Sequence, residues 1–170
     1  VSFYLNGAFY GMMILTERTN EDYVEHNYGL KKEEIDFMSV SAGYGYQCEA
    51  GTREAYDEMI DYASNNYESE DFYDELNTMM DIDEYVDYQI IEQYVGNTDW
   101  VSNNTKLWRK HDGGRFRWIL FDTDFGLSKA TSVDKDMIKF ATSEKGNAPM
   151  WALLKSCLKN EDFRWKFLDQ

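Results

Sequence analysis

Residues 115–121 read R-F-R-W-I-L-F and run straight into Asp122-Thr123-Asp124-Phe125-Gly126. An aromatic and aliphatic run of this length, with Gly113-Gly114 before it, reads as a strand. Two acids therefore stand where the chain leaves a sheet. Upstream, a helical pattern stops at Gly96, and the loop after it holds Asn97-Thr98-Asp99-Trp100 and Asn103-Asn104. This order of helix, loop, strand and acidic turn brings Asp99, Asn104, Asp122 and Asp124 to neighbouring element ends. Hard oxygens gathered in that way suit Mg2+, which takes one or two carboxylates and completes its octahedron with nucleotide phosphates and water.

The spacing narrows the chemistry. Phosphoryl transfer needs a carboxylate to receive the proton of the attacking hydroxyl, besides the acids that hold the metal. Protein kinases meet both needs with D-x-x-x-x-N on a catalytic loop and the Asp of a DFG after a later strand. Asp99 and Asn104 have the first spacing, and Asp124-Phe125-Gly126 is a literal DFG. The residues by themselves point to a kinase-like phosphotransferase site.

At 170 residues the chain is long enough for one ordinary domain. It begins inside a strand pattern and ends inside a helical one, and so reads as a piece of a longer protein. Lys plus Arg is 17 and Asp plus Glu is 32, a formal charge of −15. Between Arg53 and Lys106 lie 15 acids and no Lys or Arg, and the remaining 17 acids are matched by the 17 bases. A nucleic-acid surface needs the opposite sign, which argues against that partner. The acidic block reads as solvated faces, or as a docking surface for a basic substrate. Cys48 and Cys157 form no C-x-x-C pair, so they indicate neither a zinc site nor a disulfide framework and read as small core residues. No run approaches the ~18 apolar residues of a membrane helix.

Taken in order, the chain opens with two apolar runs split by Asn6-Gly7, a hairpin signal. Residues 20–28 read as a short helix stopped by Gly29, and 35–40 as a short strand. Ala42-Gly43-Tyr44-Gly45 lacks the G-x-G-x-x-G spacing and reads as a turn. From Thr52 the period becomes helical, with Tyr56, Met59, Ile60 and Ala63 on one face. A second helix capped by Ser69 runs through Met79, and a third, capped by Asp81 or Asp83, covers 84–95 with Tyr85, Tyr88 and Tyr94 as core residues. Residues 106–109 and 115–121 form a hairpin around a turn in which His111 is solvated. After Gly126 the pattern is irregular until Pro149 starts an amphipathic helix, with one more from Glu161.

Three blocks carry a family resemblance. Tyr4-Leu5-Asn6-Gly7-Ala8-Phe9-Tyr10-Gly11, followed by Leu15-Thr16-Glu17-Arg18, resembles the N-G-x-x-x-G…L-x-E-R segment of CotH-type kinases, the spore coat protein H family. The Asn97-Thr98-Asp99-Trp100 loop with Asn103-Asn104 resembles their N-x-D-W…N-N, and residues 118–126 resemble their W-I-L-x-D-x-D-x-G. The resemblance implies an α+β, atypical protein-kinase-like fold and a single partial domain over 1–170. In it a strand-rich part, 1–50, packs on a helical lobe, 51–170, that carries the catalytic loop and metal-binding hairpin.

It also implies ATP with Mg2+ or Mn2+ and transfer of the γ-phosphate to Ser or Thr of a protein substrate. By similarity Asp99 is the catalytic acid/base, and Asn104 is a metal ligand or a loop-fixing amide. Asp122 is the strand-end metal ligand, and Asp124 is a second ligand or a catalytic, orienting acid. Glu17 and Arg18 match the family's E-R and contact the cofactor, or else close a strand end as an ion pair. Relatives carry a Lys just after the short strand that follows the first helix, where this chain reads Phe37-Met38-Ser39. The cation for the phosphates then comes from Arg18 or from a Lys or Arg of a preceding N-terminal part, or the protein is a degenerate kinase acting as a surface or spore-coat binding module. An extracytoplasmic location is implied by resemblance.

Two other readings are weaker. D-x-D after an apolar strand also marks glycosyltransferases, but they need alternating strands and helices ahead of it, and here the ~50 preceding residues read as successive helices. A Ca2+ loop opening at Asp122 wants Gly at its sixth and Glu at its twelfth position. Leu127 and Val133 stand there instead.

Overall fold

Asn6 and Gly7 take positive φ, 50° and 82°, as a two-residue turn matched to strand twist requires. They join β1 (Ser2–Leu5) to β2 (Ala8–Met12) in an antiparallel pair. The computed structural model describes residues 1–41, 44–127, 134–143 and 149–170. The Ala42-Gly43 part of the expected turn lies outside them. Next comes α1 (Glu21–Tyr28), ended by Gly29 at φ 70°, whose N–H donates to Glu25 O.

A short 3-10 turn at Lys32–Glu34 leads into β3 (Ile35–Ser41), which pairs with β4 (Gly45–Ala50). Then β5 (Thr105–Lys110) and β6 (Arg117–Ile119) complete a second sheet in the order β4-β3-β5-β6, antiparallel throughout. Between β4 and β5 stand α2 (Glu54–Asn66), α3 (Phe72–Met79) and α4 (Ile82–Tyr94). After β6 come α5 (Met137–Thr142), α6 (Pro149–Cys157) and α7 (Glu161–Asp169). Seven α-helices and two small sheets among the described residues make the fold α+β.

The larger sheet is covered on both faces, which is why 35–40 reads as a nearly unbroken buried run. One face, with Met38, Leu107 and Trp118, packs into the main core against Tyr56, Met59, Leu76, Tyr85, Val86, Tyr88 and Phe163. The other face, with Ile35, Phe37, Trp108 and Ile119, is closed by Val24 of α1 and by Leu30. Removing each such aliphatic side chain from water contributes about 1.5–3 kcal/mol. The open edge at β6 is satisfied by α4: Trp118 N–H donates to Glu84 Oε1 at 3.1 Å, and Arg117 Nε meets Glu84 Oε2 at 2.6 Å. No helix among the described residues is long and apolar enough to cross a membrane.

Several local expectations need correction. The second helix is capped by Asp71, not Ser69; Ser69 Oγ instead accepts from Asp71 N–H at 3.4 Å. The strand expected over 115–121 is three residues long, because Phe116 turns away to bridge Met80 and Leu120 leaves the ladder. At the end of α4, Tyr94 projects into solvent, 83 % exposed. Cys48 is exposed on β4 while Cys157 is buried. Strand β4 and helix α5 carried no pattern of their own.

His111 is no solvated turn residue. Its Nε2 lies 3.0 Å from Asp36 Oδ1, and Asp36 is only 1 % exposed. Arg109 Nε and Thr52 N–H also donate to that carboxylate, each at 2.7 Å. Burial by itself would raise the Asp36 pKa, but these donors hold it below the ordinary value.

Candidate active site

Helix α4 ends at Tyr94, and the chain reverses at Gly96, φ 66°. Asn97 then folds back into the core: its N–H donates to Glu92 O at 3.0 Å and its Nδ2 to Glu92 Oε2 at 2.8 Å. Its own Oδ1 accepts from Asp99 N–H at 3.1 Å. Trp100, 2 % exposed, anchors the loop by donating its indole N–H to Tyr88 Oη at 2.9 Å. Val101 is buried at φ 72°, a left-handed conformation that costs a β-branched residue on the order of 1–3 kcal/mol. The surrounding contacts hold it there, and the loop curls so that Asn103 Nδ2 and Asn104 Nδ2 both donate to Asp99 Oδ2, at 3.0 and 3.1 Å. Asp99 is thus clasped by neutral amides.

The acidic turn is seated on the same helix end. Gly126 N–H donates to Thr123 O at 2.8 Å, and Leu127 N–H to Val95 O at 2.6 Å. A Cβ on Gly126 would stand 2.8 Å from Val95 Cγ2, so only glycine lets the turn lie this close. Asp122, at φ 54°, projects from the turn beside Asp124. Burial, then the neighbouring Asp124 charge and hydrogen bond, then Asp99, push the Asp122 carboxyl above its ordinary pKa, while Lys106 pulls it down. Asp99, Asp122 and Asp124 therefore share one electrostatic neighbourhood.

A cavity of about 570 Å³ opens at this point. Asp122 and Asp124 line one side with Phe121, and Glu17, Arg18 and Thr19 line the other. The residues of the E-R motif and those of the D-x-D turn, about a hundred positions apart in sequence, face one space of a size suited to a nucleotide. Glu17 does not close a strand end on Arg18; its carboxylate accepts from Asn27 Nδ2 at 3.4 Å to each oxygen.

Comparison with known families meets this geometry. The model of the family described as CotH kinase protein matches residues 1–170, the whole chain. The chain belongs to the CotH kinase family. No curated protein and no solved structure matches it.

Within this CotH kinase chain the chemistry of the donor set can be tested for a metal. Among the described residues no three His, Cys, Asp or Glu side chains form a preformed metal cage. Asp122 and Asp124, close enough for the charge of one to raise the pKa of the other, offer two hard carboxylates, the number Mg2+ takes from protein when phosphates and water supply the rest. The donors fit. Asn104 is seen as a loop-fixing amide, since its Nδ2 is engaged on Asp99; its carbonyl end is a further hard oxygen.

Four residues around the site were given no role of their own from the sequence. Asn103 shares with Asn104 the duty of holding Asp99. Glu92 and Asn97 support the loop from below, and Glu92 is indistinguishable in sequence from the other acids of its block. The fourth is Lys106, half-buried on β5, whose position depends on strand register.

Proposed function

We propose that this protein is an atypical protein kinase, of kinase-like fold, that moves the γ-phosphate of ATP to a Ser or Thr hydroxyl of a protein substrate with Mg2+ or Mn2+. The observation that carries the reading is the Asp99 carboxylate, clasped by two neutral amides beside the paired Asp122 and Asp124. In this reaction the acceptor hydroxyl oxygen attacks the γ-phosphorus. The bond from that phosphorus to the β–γ bridging oxygen breaks, ADP leaves with the electron pair, and the hydroxyl proton passes to Asp99. The amides grip Oδ2, and Oδ1 receives the proton. Amides suit this duty better than a cation, which would lower the basicity of the carboxylate.

Asp122 and Asp124 hold the metal, which supplies neutralisation of charge on the phosphate oxygens when bound. Arg18 faces the phosphates across the cavity, and Glu17, tied to Asn27, fixes the segment that carries Arg18. An extracytoplasmic location accompanies the family reading. A second reading, nucleotide binding without transfer, is favoured by one observation. Strand β3 carries Ser39, bonded to Glu49 Oε1 at 2.7 Å, where a kinase-like strand would offer a lysine.

The experiment is transfer of label from γ-labelled ATP to a generic acceptor protein with Mg2+ or Mn2+. Transfer that Asp99→Ala abolishes supports the kinase. Nucleotide binding with no transfer by the unaltered protein would sink it and leave the binding module.

A further inference from the structure

A nucleotide triphosphate brings several negative charges to a cavity whose wall already holds Glu17, Asp122 and Asp124. Those charges repel one another, and in a partly desolvated site the repulsion is several times its value in water. Arg18 is the only cation among the described residues that line the cavity. One arginine against three carboxylates leaves the phosphates poorly matched.

Lys106 stands directly behind this wall. It lies on β5, opposite Ser39 of β3 and Ile119 of β6, on the sheet face that α1 covers. Its Nζ donates to Thr19 O at 2.5 Å and to Thr19 Oγ1 at 3.1 Å, and sits 4.5 Å from the centroid of the Phe121 ring. Thr19 and Phe121 both line the cavity. An ammonium has three N–H donors, and Thr19 takes two. Among the described residues no carboxylate oxygen comes within ion-pairing distance of Lys106. A half-buried ammonium without a counter-ion is costly unless an anion arrives to neutralise it. Burial, and then the charge of Arg18, lower its pKa from the ordinary lysine value; the acids Glu49, Asp122 and Glu21 work in the other direction. One cation on the cavity wall and a second held just behind it by Thr19 and Phe121, with one N–H to spare, offer the elements of an anion site.

We propose that Lys106 is the phosphate-binding cation of this site, acting with Arg18 on the phosphate chain of the nucleotide and replacing the lysine that β3 lacks. Ser39 and Lys106 are register partners, so the positive charge has moved one strand across the sheet while serving the same space. The inference rests on the kinase reading above and makes the phosphates, not the nucleoside, the ligand of Lys106.

The test is titration of ATP, ADP and adenosine with Mg2+ against the full chain and its Lys106→Met and Lys106→Arg variants, together with ATP and acceptor kinetics. Loss of a charge-assisted contact predicts that Lys106→Met weakens ATP and ADP about tenfold or more. Adenosine affinity stays at the parent value, KM for ATP rises, and KM for the acceptor is unchanged. Lys106→Arg, which keeps the charge, recovers the ATP affinity. A lysine that only tethers Thr19 would instead weaken all three ligands alike, and that result overturns the proposal, as does unaltered ATP affinity in Lys106→Met. The parent protein separates the two levels. If it neither binds ATP nor transfers phosphate, the kinase reading falls; if it does both and Lys106→Met matches it, this inference alone falls.

Discussion

Asn97 Nδ2 donates to Glu92 Oε2 at 2.8 Å with both residues wholly shut off from solvent. The other end of the Asn97 amide accepts from Asp99 N–H, so a carboxyl of α4 fixes the backbone of the residue on which the proposed chemistry turns. The second Glu92 oxygen, Oε1, is buried with no partner among the described residues. Burial pushes the Glu92 pKa up to about 7, against the opposing pull of the Asn97 donor.

A carboxyl whose pKa rises on folding favours the fold while protonated. Its contribution is full below the unfolded value and is lost as pH climbs through about 7. Between about pH 5 and pH 8 this group should remove on the order of 2 kcal/mol of stability. Glu92→Gln, which cannot ionise, should flatten that fall. Denaturant melts of the two proteins across the range check it, and parallel stability curves would refute it.

Metal should stabilise the protein through Asp122. The raised pKa of that carboxyl comes from burial and from neighbours of like sign, and a divalent cation relieves the like-charge part. Saturating Mg2+ or Mn2+ at a hundredfold its Kd adds about 2.7 kcal/mol by mass action. Asp122→Asn should lose most of this shift. Asparagine tolerates the left-handed backbone at 122, so the substitution tests charge and not conformation. Asp112→Asn, at the left-handed turn between β5 and β6, serves as the control. Equal melting shifts in the two variants would remove Asp122 from the metal site.

Gly126→Ala should displace the acidic turn. The added methyl meets Val95 Cγ2 and Thr123 O, and overpacking of this kind costs about 1–3 kcal/mol. Because the turn carries both carboxylates, activity should fall further than stability does. Val95→Ala in the same chain should restore part of it, as a double-mutant cycle would register. Additive effects would mean that the two residues do not set the position of the turn.

Asp36→Asn should damage the fold without touching the site. It leaves Arg109 beside a neutral amide and weakens three bonds at the far end of β5, at a cost of about 2–4 kcal/mol. The lowered pKa of Asp36 places its stabilisation above the ordinary carboxylate range, lost as pH falls through the folded value. The melting difference between parent and variant should therefore narrow in acid. Nucleotide affinity per folded molecule should stay unchanged, as titration of the purified variant can establish.

Local chemistry made part of this molecule readable. Asn6-Gly7 requires two positive φ values and has them; Asp81 caps α4 by accepting from Glu84 N–H; Gly29 ends α1. Asp99, Asn104, Asp122 and Asp124 stand out as candidates because their spacing is itself a signal, and the fold brings Asp99 and Asn104 into contact and sets Asp122 beside Asp124. The parts that stayed hidden depend on distant partners. Strand β4 exists because β3 offers it a ladder, and its G-Y-Q-C-E-A shows no alternation. His111 and Asp36 meet only after β5 pairs with β3. Glu92 differs from its acidic neighbours in burial alone, and Lys106 becomes interesting only once Ser39 is known to stand opposite.

The pairing of Ile35 with Lys110 and of Val40 with Thr105 encloses α2, α3 and α4 within a single chain loop. Equilibrium penalises such a closure only mildly, since each doubling of loop length costs about 0.6 kcal/mol. Kinetics penalises it more, because folding slows as contacts grow distant in sequence. Arg18 and Thr19 precede the loop while Phe121, Asp122 and Asp124 follow it, so the two walls of the cavity meet only once the loop closes. A polypeptide still emerging from the ribosome holds only one side of it. Lesions in the packing of the three enclosed helices should accordingly appear first as delayed acquisition of activity, with the chemistry of the finished molecule intact.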